Sequence, residues 1–134
     1  MPLKISLKAN EKIIVNGAVM QNGDNPAQLL FHNEVSLLRE KDILTEEQGS
    51  TPARRVYYAL QCLYLFPAKA EIFLPAFYTF LSEFVEAAPS AGELVAEIRS
   101  EAEQGRLYQA LRKSRRLIER EEEILHAFAT SRDI

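Results

Sequence analysis

Thr51-Pro52-Ala53-Arg54-Arg55-Val56-Tyr57-Tyr58 marks the place where the chain changes its period. Thr51 offers an N-cap hydroxyl, and Pro52 follows at the first helical position, where a missing N–H costs nothing. Upstream of this point apolar residues alternate with polar ones; downstream they recur with helical spacing. The sequence therefore predicts an α+β fold. A small antiparallel sheet occupies residues 1–48 and a bundle of about four helices residues 49–134, in one compact domain overall.

Working back toward the N-terminus, Leu3, Ile5 and Leu7 alternate along one strand, and the β-branched run Ile13-Ile14-Val15 makes a second. Ala9-Asn10-Glu11 between them is turn-like. Asn16-Gly17 can supply the positive φ angles of a two-residue hairpin turn, and a second Asn-Gly stands at residues 22–23. One of the two pairs can instead be a bulge. Gln28–His32 and Val35–Arg39 then read as two more strands paired about Asn33-Glu34, while Thr45–Ser50 is a polar linker or short helical turn.

Working forward, Arg54–Phe66 forms a first helix that Pro67 ends, and Lys69–Ala88 a second, with Pro75 allowing a kink and Pro89 closing it. Ser90 can cap a third helix from Gly92 to about Gln104, and Gly105 fits its C-cap. In the fourth helix Leu107, Leu111, Ile118, Leu125 and Phe128, with Ala110, Leu117 and Ile124 alongside, lie on one stripe. Its period is close to seven, so the basic residues face elsewhere. The cluster Tyr57, Tyr58, Tyr64, Phe66, Phe73, Phe77, Tyr78, Phe80 and Phe84 exceeds what a small bundle needs inside, and part of it is expected to face a partner.

Composition narrows the function classes. With 134 residues, 47% of them hydrophobic, the chain can bury a continuous core, yet no apolar run approaches the roughly 20 residues of a membrane span. The N-terminus lacks the features of a signal peptide, so a cytoplasmic protein is expected. Cys62 is the single cysteine and lies among apolar helix residues, which makes it packing; two distant histidines, His32 and His126, offer no metal-ligand spacing. No Gly-x-Ser-x-Gly, Cys–His pair or phosphate loop is present, and the Asn-Gly turns have no helix start behind them. A protein without a catalytic site of its own is the expectation.

Charge is unevenly placed on a chain of net charge −3. Arg106, Arg112, Lys113, Arg115, Arg116 and Arg120 stand against Glu119 alone, and Glu121, Glu122 and Glu123 follow, able to pair with arginines one turn back. This stretch reads as a solvated face with intrahelical ion pairs or as a surface for phosphates. Arg54 and Arg55 occupy the first turn of a helix, where the macrodipole disfavours cations by a few tenths of a kcal/mol. Either a salt bridge to Glu46 or Glu47 compensates, or an external phosphate or acidic side chain does, with Tyr57 and Tyr58 close by for stacking. Leu37–Leu44 adds Arg39 and Lys41 on what a solvated strand edge would also show.

In order along the chain, Val15-Asn16-Gly17-Ala18-Val19, Gln21-Asn22-Gly23, Leu38-Arg39-Glu40-Lys41-Asp42-Ile43-Leu44, Thr51-Pro52-Ala53-Arg54-Arg55-Val56-Tyr57 and Leu107-Tyr108-Gln109-Ala110-Leu111 with Arg116-Leu117-Ile118 resemble the FlbT family of flagellar regulators of α-proteobacteria. The resemblance runs from Pro2 to about Leu125, and five separated motifs in order are specific where one would be weak. Ala9-Asn10-Glu11 departs from the family's tendency to Pro-Gly-Glu, which alters only how the first turn closes.

The resemblance implies a post-transcriptional repressor that binds the 5′ untranslated region of flagellin mRNA and promotes its degradation, without a cofactor. The modest charge pattern favours an alternative, an adaptor gripping flagellin or the small protein FlaF through its amphipathic stripe and aromatic surface, with an indirect effect on the messenger. No contact residue is carried over from the family. Charge and stacking alone make Arg39, Lys41, Arg54, Arg55 and Tyr57 near the sheet-to-helix hand-over, and Arg112, Lys113, Arg115 and Arg116, the candidates for RNA or a partner. A homodimer through the fourth helix's stripe is a further expectation.

Overall fold

The computed structural model describes the backbone of residues 2–132 and the side chains of residues 2–127. Phe128, which the sequence puts on the apolar stripe, lies outside the described side chains. The chain divides into two compact units, Met1–Ile43 and Leu44–Ile134.

The first unit holds β1 (Leu3–Leu7), β2 (Lys12–Val15), β3 (Ala18–Gln21), β4 (Ala27–Phe31) and β5 (Leu37–Arg39). They form two antiparallel sheets rather than one: β1–β4, and β3–β2–β5. Asn16 and Gly17 have φ of 50° and 85° and close the β2–β3 hairpin with Val15 opposite Ala18, as their left-handed preference predicts. The other Asn-Gly pair is no hairpin. Asn22 pins a loop, donating from Nδ2 to the carbonyls of Lys8 and Asn25, both at 2.9 Å, while its own N–H reaches Glu11 O.

The predicted pairing of residues 28–32 with 35–39 does not form. Asn33 and Glu34 both keep negative φ, so they cannot make the tight turn that such a hairpin needs. β4 pairs instead with β1, Ile5 opposite Leu29, and β5 with β2, Ile14 opposite Leu38. Successive side chains of a strand point to opposite faces, so buried Ile13 and buried Leu38 lie on opposite sides of the three-stranded sheet. His32 stands one residue beyond β4 and is exposed.

The second unit begins with a reciprocal cap. The Thr45 N–H donates to Gln48 Oε1 at 2.9 Å and the Gln48 N–H to Thr45 Oγ1 at 3.2 Å, so the polar linker is a capped turn. Then come α1 (Pro52–Leu65), α2 (Ala70–Ala87), α3 (Gly92–Glu103) and α4 (Leu107–Arg132). α1 is the central helix, packed on α2 and α4, and α3 packs on α4. The core is built from Val56, Leu60 and Leu63 of α1, Phe77, Leu81 and Phe84 of α2, Leu94, Val95 and Ile98 of α3, and Ala110, Leu111 and Leu117 of α4. Among the described residues no helix is long and apolar enough to cross a membrane.

The start of α1 is satisfied donor by donor. Pro52 has no N–H; the Arg54 N–H donates to Thr51 Oγ1 at 3.3 Å, and the Arg55 N–H to Thr51 O at 2.8 Å. The remaining Ala53 N–H donates to Oε2 of buried Glu121, 2.9 Å away and 68 positions further along the chain. An acidic group at a helix N-terminus also meets the favourable end of the macrodipole. Gln61 ties the chain entering α1 in the same way: its Oε1 accepts from the Leu44 N–H and its Nε2 donates to the Leu44 carbonyl.

Ser90 does not cap α3. It sits inside a short 3-10 turn, Pro89–Ala91, that leads straight into the helix, and its carbonyl accepts from Arg120 Nη1 at 3.1 Å. At the other end Gly105, φ 78°, closes α3: its N–H donates to Ala102 O and the Arg106 N–H to Glu101 O, the paired bonds of a Schellman cap.

Replacing Glu121 by Ala orphans a buried N–H, which costs about 1–3 kcal/mol. The exposed Arg54 guanidinium pairs with Glu122 at 3.0 Å, and Arg54→Ala loses less than about 1 kcal/mol. Urea unfolding of both variants is expected to show that order; equal losses would contradict the capping role.

Candidate functional site

On α4 the residues turned toward α1 and α3 are Ala110, Leu111, Ser114, Leu117 and Glu121. The opposite positions, near 108, 112 and 116, must then face water. Arg112 and Arg116 are exposed and make no ion pair or hydrogen bond among the described residues. With Gln109, Lys113, Arg115 and Glu119 they line one open depression. The sequence candidates on this helix are thus brought together on one surface.

Their availability is unequal. Lys113 Nζ lies 3.6 Å from Glu101 Oε1, and Arg106 chelates the same carboxylate with Nε and Nη2, each at 3.0 Å. The Arg106 bonds, with Lys113 nearby, hold the Glu101 carboxyl below its ordinary range. Arg115 is half-buried and has an interaction of its own. Arg116 also borders a second depression, which it and Arg120 share with Glu93, Glu97, Glu119 and Glu123, so that carboxylates outnumber cations there.

On α1, Arg54 pairs with neither Glu46 nor Glu47 but with Glu122, so Glu121 and Glu122 reach α1 instead of closing intrahelical pairs. Arg55 is exposed and without a partner among the described residues. Tyr57 is only 3% exposed. Its position lies on the buried side of α1 with Val56 and Leu60, which removes its ring from any stacking role. In the first unit Arg39 grips Glu11, Nε to Oε2 and Nη2 to Oε1 at 3.1 Å, and also donates to the Ser6 carbonyl. That bond holds the Glu11 carboxyl below its ordinary range. Lys41, in the 3-10 turn Glu40–Asp42, is exposed and unpaired among the described residues.

Reading the sequence as a line of charges missed two participants. Glu101 withdraws two cations from the surface, which only the packing of α3 on α4 could reveal. Tyr108 is 40% exposed and one turn before Arg112; the four-residue spacing was there to be read. Cys62 is buried, its thiol pushed up by burial, which suits packing rather than reactivity. Among the described residues no group of three His, Cys, Asp or Glu could hold a metal ion.

Residues 3–125 match the family model described as flagellar protein FlbT. This chain belongs to the FlbT family. A Caulobacter vibrioides protein named flagellum biosynthesis repressor protein FlbT is 43% identical over 127 residues, 93% of this chain and 90% of that one. A Rhodopseudomonas palustris protein, named a probable flagellum biosynthesis repressor protein FlbT, is 40% identical over 128 residues, covering 93% of this chain and 98% of its own length. No solved structure matches the chain. The FlbT match spans β1 to most of α4.

Burial, with a smaller contribution from Tyr108, pushes the Tyr57 hydroxyl up from 10 to about 12. A raised folded value means the unfolded chain ionises first, so stability present below pH 10 is lost as pH rises toward about 12. Urea midpoints taken across that window should fall for the natural chain and stay flatter for Tyr57→Phe; parallel curves would refute the assignment.

Proposed function

We propose that this chain is a post-transcriptional repressor of flagellum biosynthesis that binds the 5′ untranslated region of flagellin mRNA and promotes its degradation in the cytoplasm. The repressor role follows the names of its relatives. The observation that supports contact with RNA is the open face of α4, where Arg112 and Arg116 stand unpaired among the described residues, one helical step of about 6 Å apart. Two such cations can each neutralise a phosphate without first breaking an internal pair. Arg55 and Lys41 are further cations of the same kind, while Arg39 and Arg54 would have to give up a carboxylate. Cutting of the messenger falls to a recruited nuclease.

A second reading is favoured by α2. Only Phe77, Leu81 and Phe84 of this helix are buried, while Ile72 is 66% and Leu74 38% exposed, with Phe66 at the corner before it also 38% exposed. Such a surface suits an adaptor that holds flagellin or FlaF and acts on the messenger indirectly.

Fluorescence anisotropy of the pure chain on its flagellin leader separates the two. Direct contact predicts affinity that falls steeply with salt, and an Arg112→Ala/Arg116→Ala chain whose salt slope is shallower by about 1.4, two phosphates at roughly 0.7 each for a single strand. Arg54→Ala should change binding less, since its charge is already shared with Glu122. Absence of binding until FlaF or flagellin is added would replace the first reading by the second.

A further inference from the structure

Tyr108 stands in the first turn of α4, 40% exposed, with its ring 5.8 Å from that of Tyr64 at a tilt of 43°. Tyr64 is half-buried on α1 and belongs to the packed unit, so the Tyr108 ring rests against the protein on one side and keeps part of its surface exposed. A tyrosine so held has only two side-chain torsions to restrict, and these are already restrained. It is a flat apolar surface whose ordering cost was met when the chain folded.

Its neighbours decide what that surface fits. Tyr108, Arg112 and Arg116 are spaced i, i+4, i+8, a single row on the helix with a rise of about 6 Å per step. This is close to the spacing of successive phosphates along an extended single strand. At the next position of the row the Arg120 guanidinium is drawn onto the Ser90 carbonyl, and Glu119 and Glu123 on either side of it would repel a phosphate there. On its flank Lys113 and Arg106 are drawn onto Glu101 and add little free charge.

The geometry points to Tyr108 as a stacking platform for one unpaired base, set in line with two phosphate contacts at Arg112 and Arg116. This assignment rests on the reading of α4 as the RNA-contacting face and adds a subsite to it. A paired base cannot use the platform, because its faces are already covered within the duplex, so the site selects single-stranded segments of a leader. Sequence is not read here: every base has a π face, and no side-chain amide or carboxylate is required at the ring.

The test uses the full chain and a short oligouridylate, whose bases do not stack on one another, titrated at several salt concentrations. Tyr108→Leu is expected to weaken binding by roughly 5-fold to 100-fold, the effect of one lost stack, with the salt slope unchanged because no phosphate contact is removed. Tyr108→Phe should bind like the natural chain. Arg112→Ala/Arg116→Ala should flatten the slope. If that double variant loses binding while Tyr108→Leu does not, the phosphate contacts stand and the stacking platform is overturned. If the natural chain binds no oligouridylate and no leader at any salt, the RNA reading falls and takes this subsite with it. A folding defect in Tyr108→Leu is bypassed by placing the fluorescent base 2-aminopurine in the oligomer with the natural chain: quenching on binding supports the stack at one position, and unchanged emission at every position overturns it.

Discussion

The helical unit depends on one hydrogen bond of long sequence reach, from the Ala53 N–H to the Glu121 side chain. A helix begins with N–H groups that its own turns cannot satisfy, and a buried one left alone costs more than most contacts contribute. Pro52 removes one such group and Thr51 serves the next pair, so the whole requirement of the buried N-terminus narrows to Ala53. Supplying that acceptor from α4 uses the face that Ala110, Leu111 and Leu117 already turn inward. Glu121 follows Leu117 and Ser114 on the buried side, and the helix period then sends Tyr108, Arg112 and Arg116 outward. The cation surface is a consequence of the apolar stripe that buries α4, and the cap of α1 draws on the same buried face.

The same bond explains why charge read along the sequence misplaces the ion pairs. Glu121–Glu123 follow a basic run at the spacing that stabilises isolated helices, and an intrahelical pair is worth only about 0.2–0.5 kcal/mol. A buried cap outweighs it. Glu122, one residue along, is then carried to Arg54, and the first-turn arginine that the macrodipole disfavours is compensated from a different helix rather than from the linker. Arg39 has the corresponding fate in the sheet unit, where β2 and β5 pair and the Glu11 carboxylate just before β2 receives it. In both cases the partner lies tens of residues away, and no local spacing announces it.

What the sequence does announce is local chemistry. Asn16-Gly17, Thr51-Pro52 and Gly105 each carry a backbone requirement within two or three residues, and each closes the element expected of it. The α+β order and the helix boundaries follow from such signals. Strand pairing does not: β4 meets β1 and β5 meets β2 across long stretches of chain, where many registers bury similar apolar area and the absent turn at Asn33-Glu34 removes the local one. Ser90 failed as a cap because the chain enters α3 through a 3-10 turn that already aligns its carbonyls and amides. Proximity to Arg54 and Arg55 suggests a surface place for Tyr57, but i+2 puts it across the helix from Arg55, and although i+3 puts it beside Arg54, its own neighbours Val56 and Leu60 mark the buried face.

Counting cations therefore overstates what an anionic ligand meets. Of the basic residues singled out, Arg39, Arg54 and Lys113 are held by carboxylates and Arg115 has an interaction of its own, while Lys41, Arg55, Arg112 and Arg116 are exposed without one among the described residues. Within the helical unit Arg112 and Arg116 are the pair of these that share a single row. A charge already within about 3 Å of a carboxylate presents little net field, and exchanging that partner for a phosphate gains only the difference between two similar interactions. An unpaired guanidinium gains the whole interaction and releases a counterion from the nucleic acid as well. Affinity for a polyanion should accordingly follow the two arginines of α4 far more closely than the chain's total of basic residues, and a net charge of −3 is no obstacle to it, because screening limits the reach of distant charges to about 10 Å.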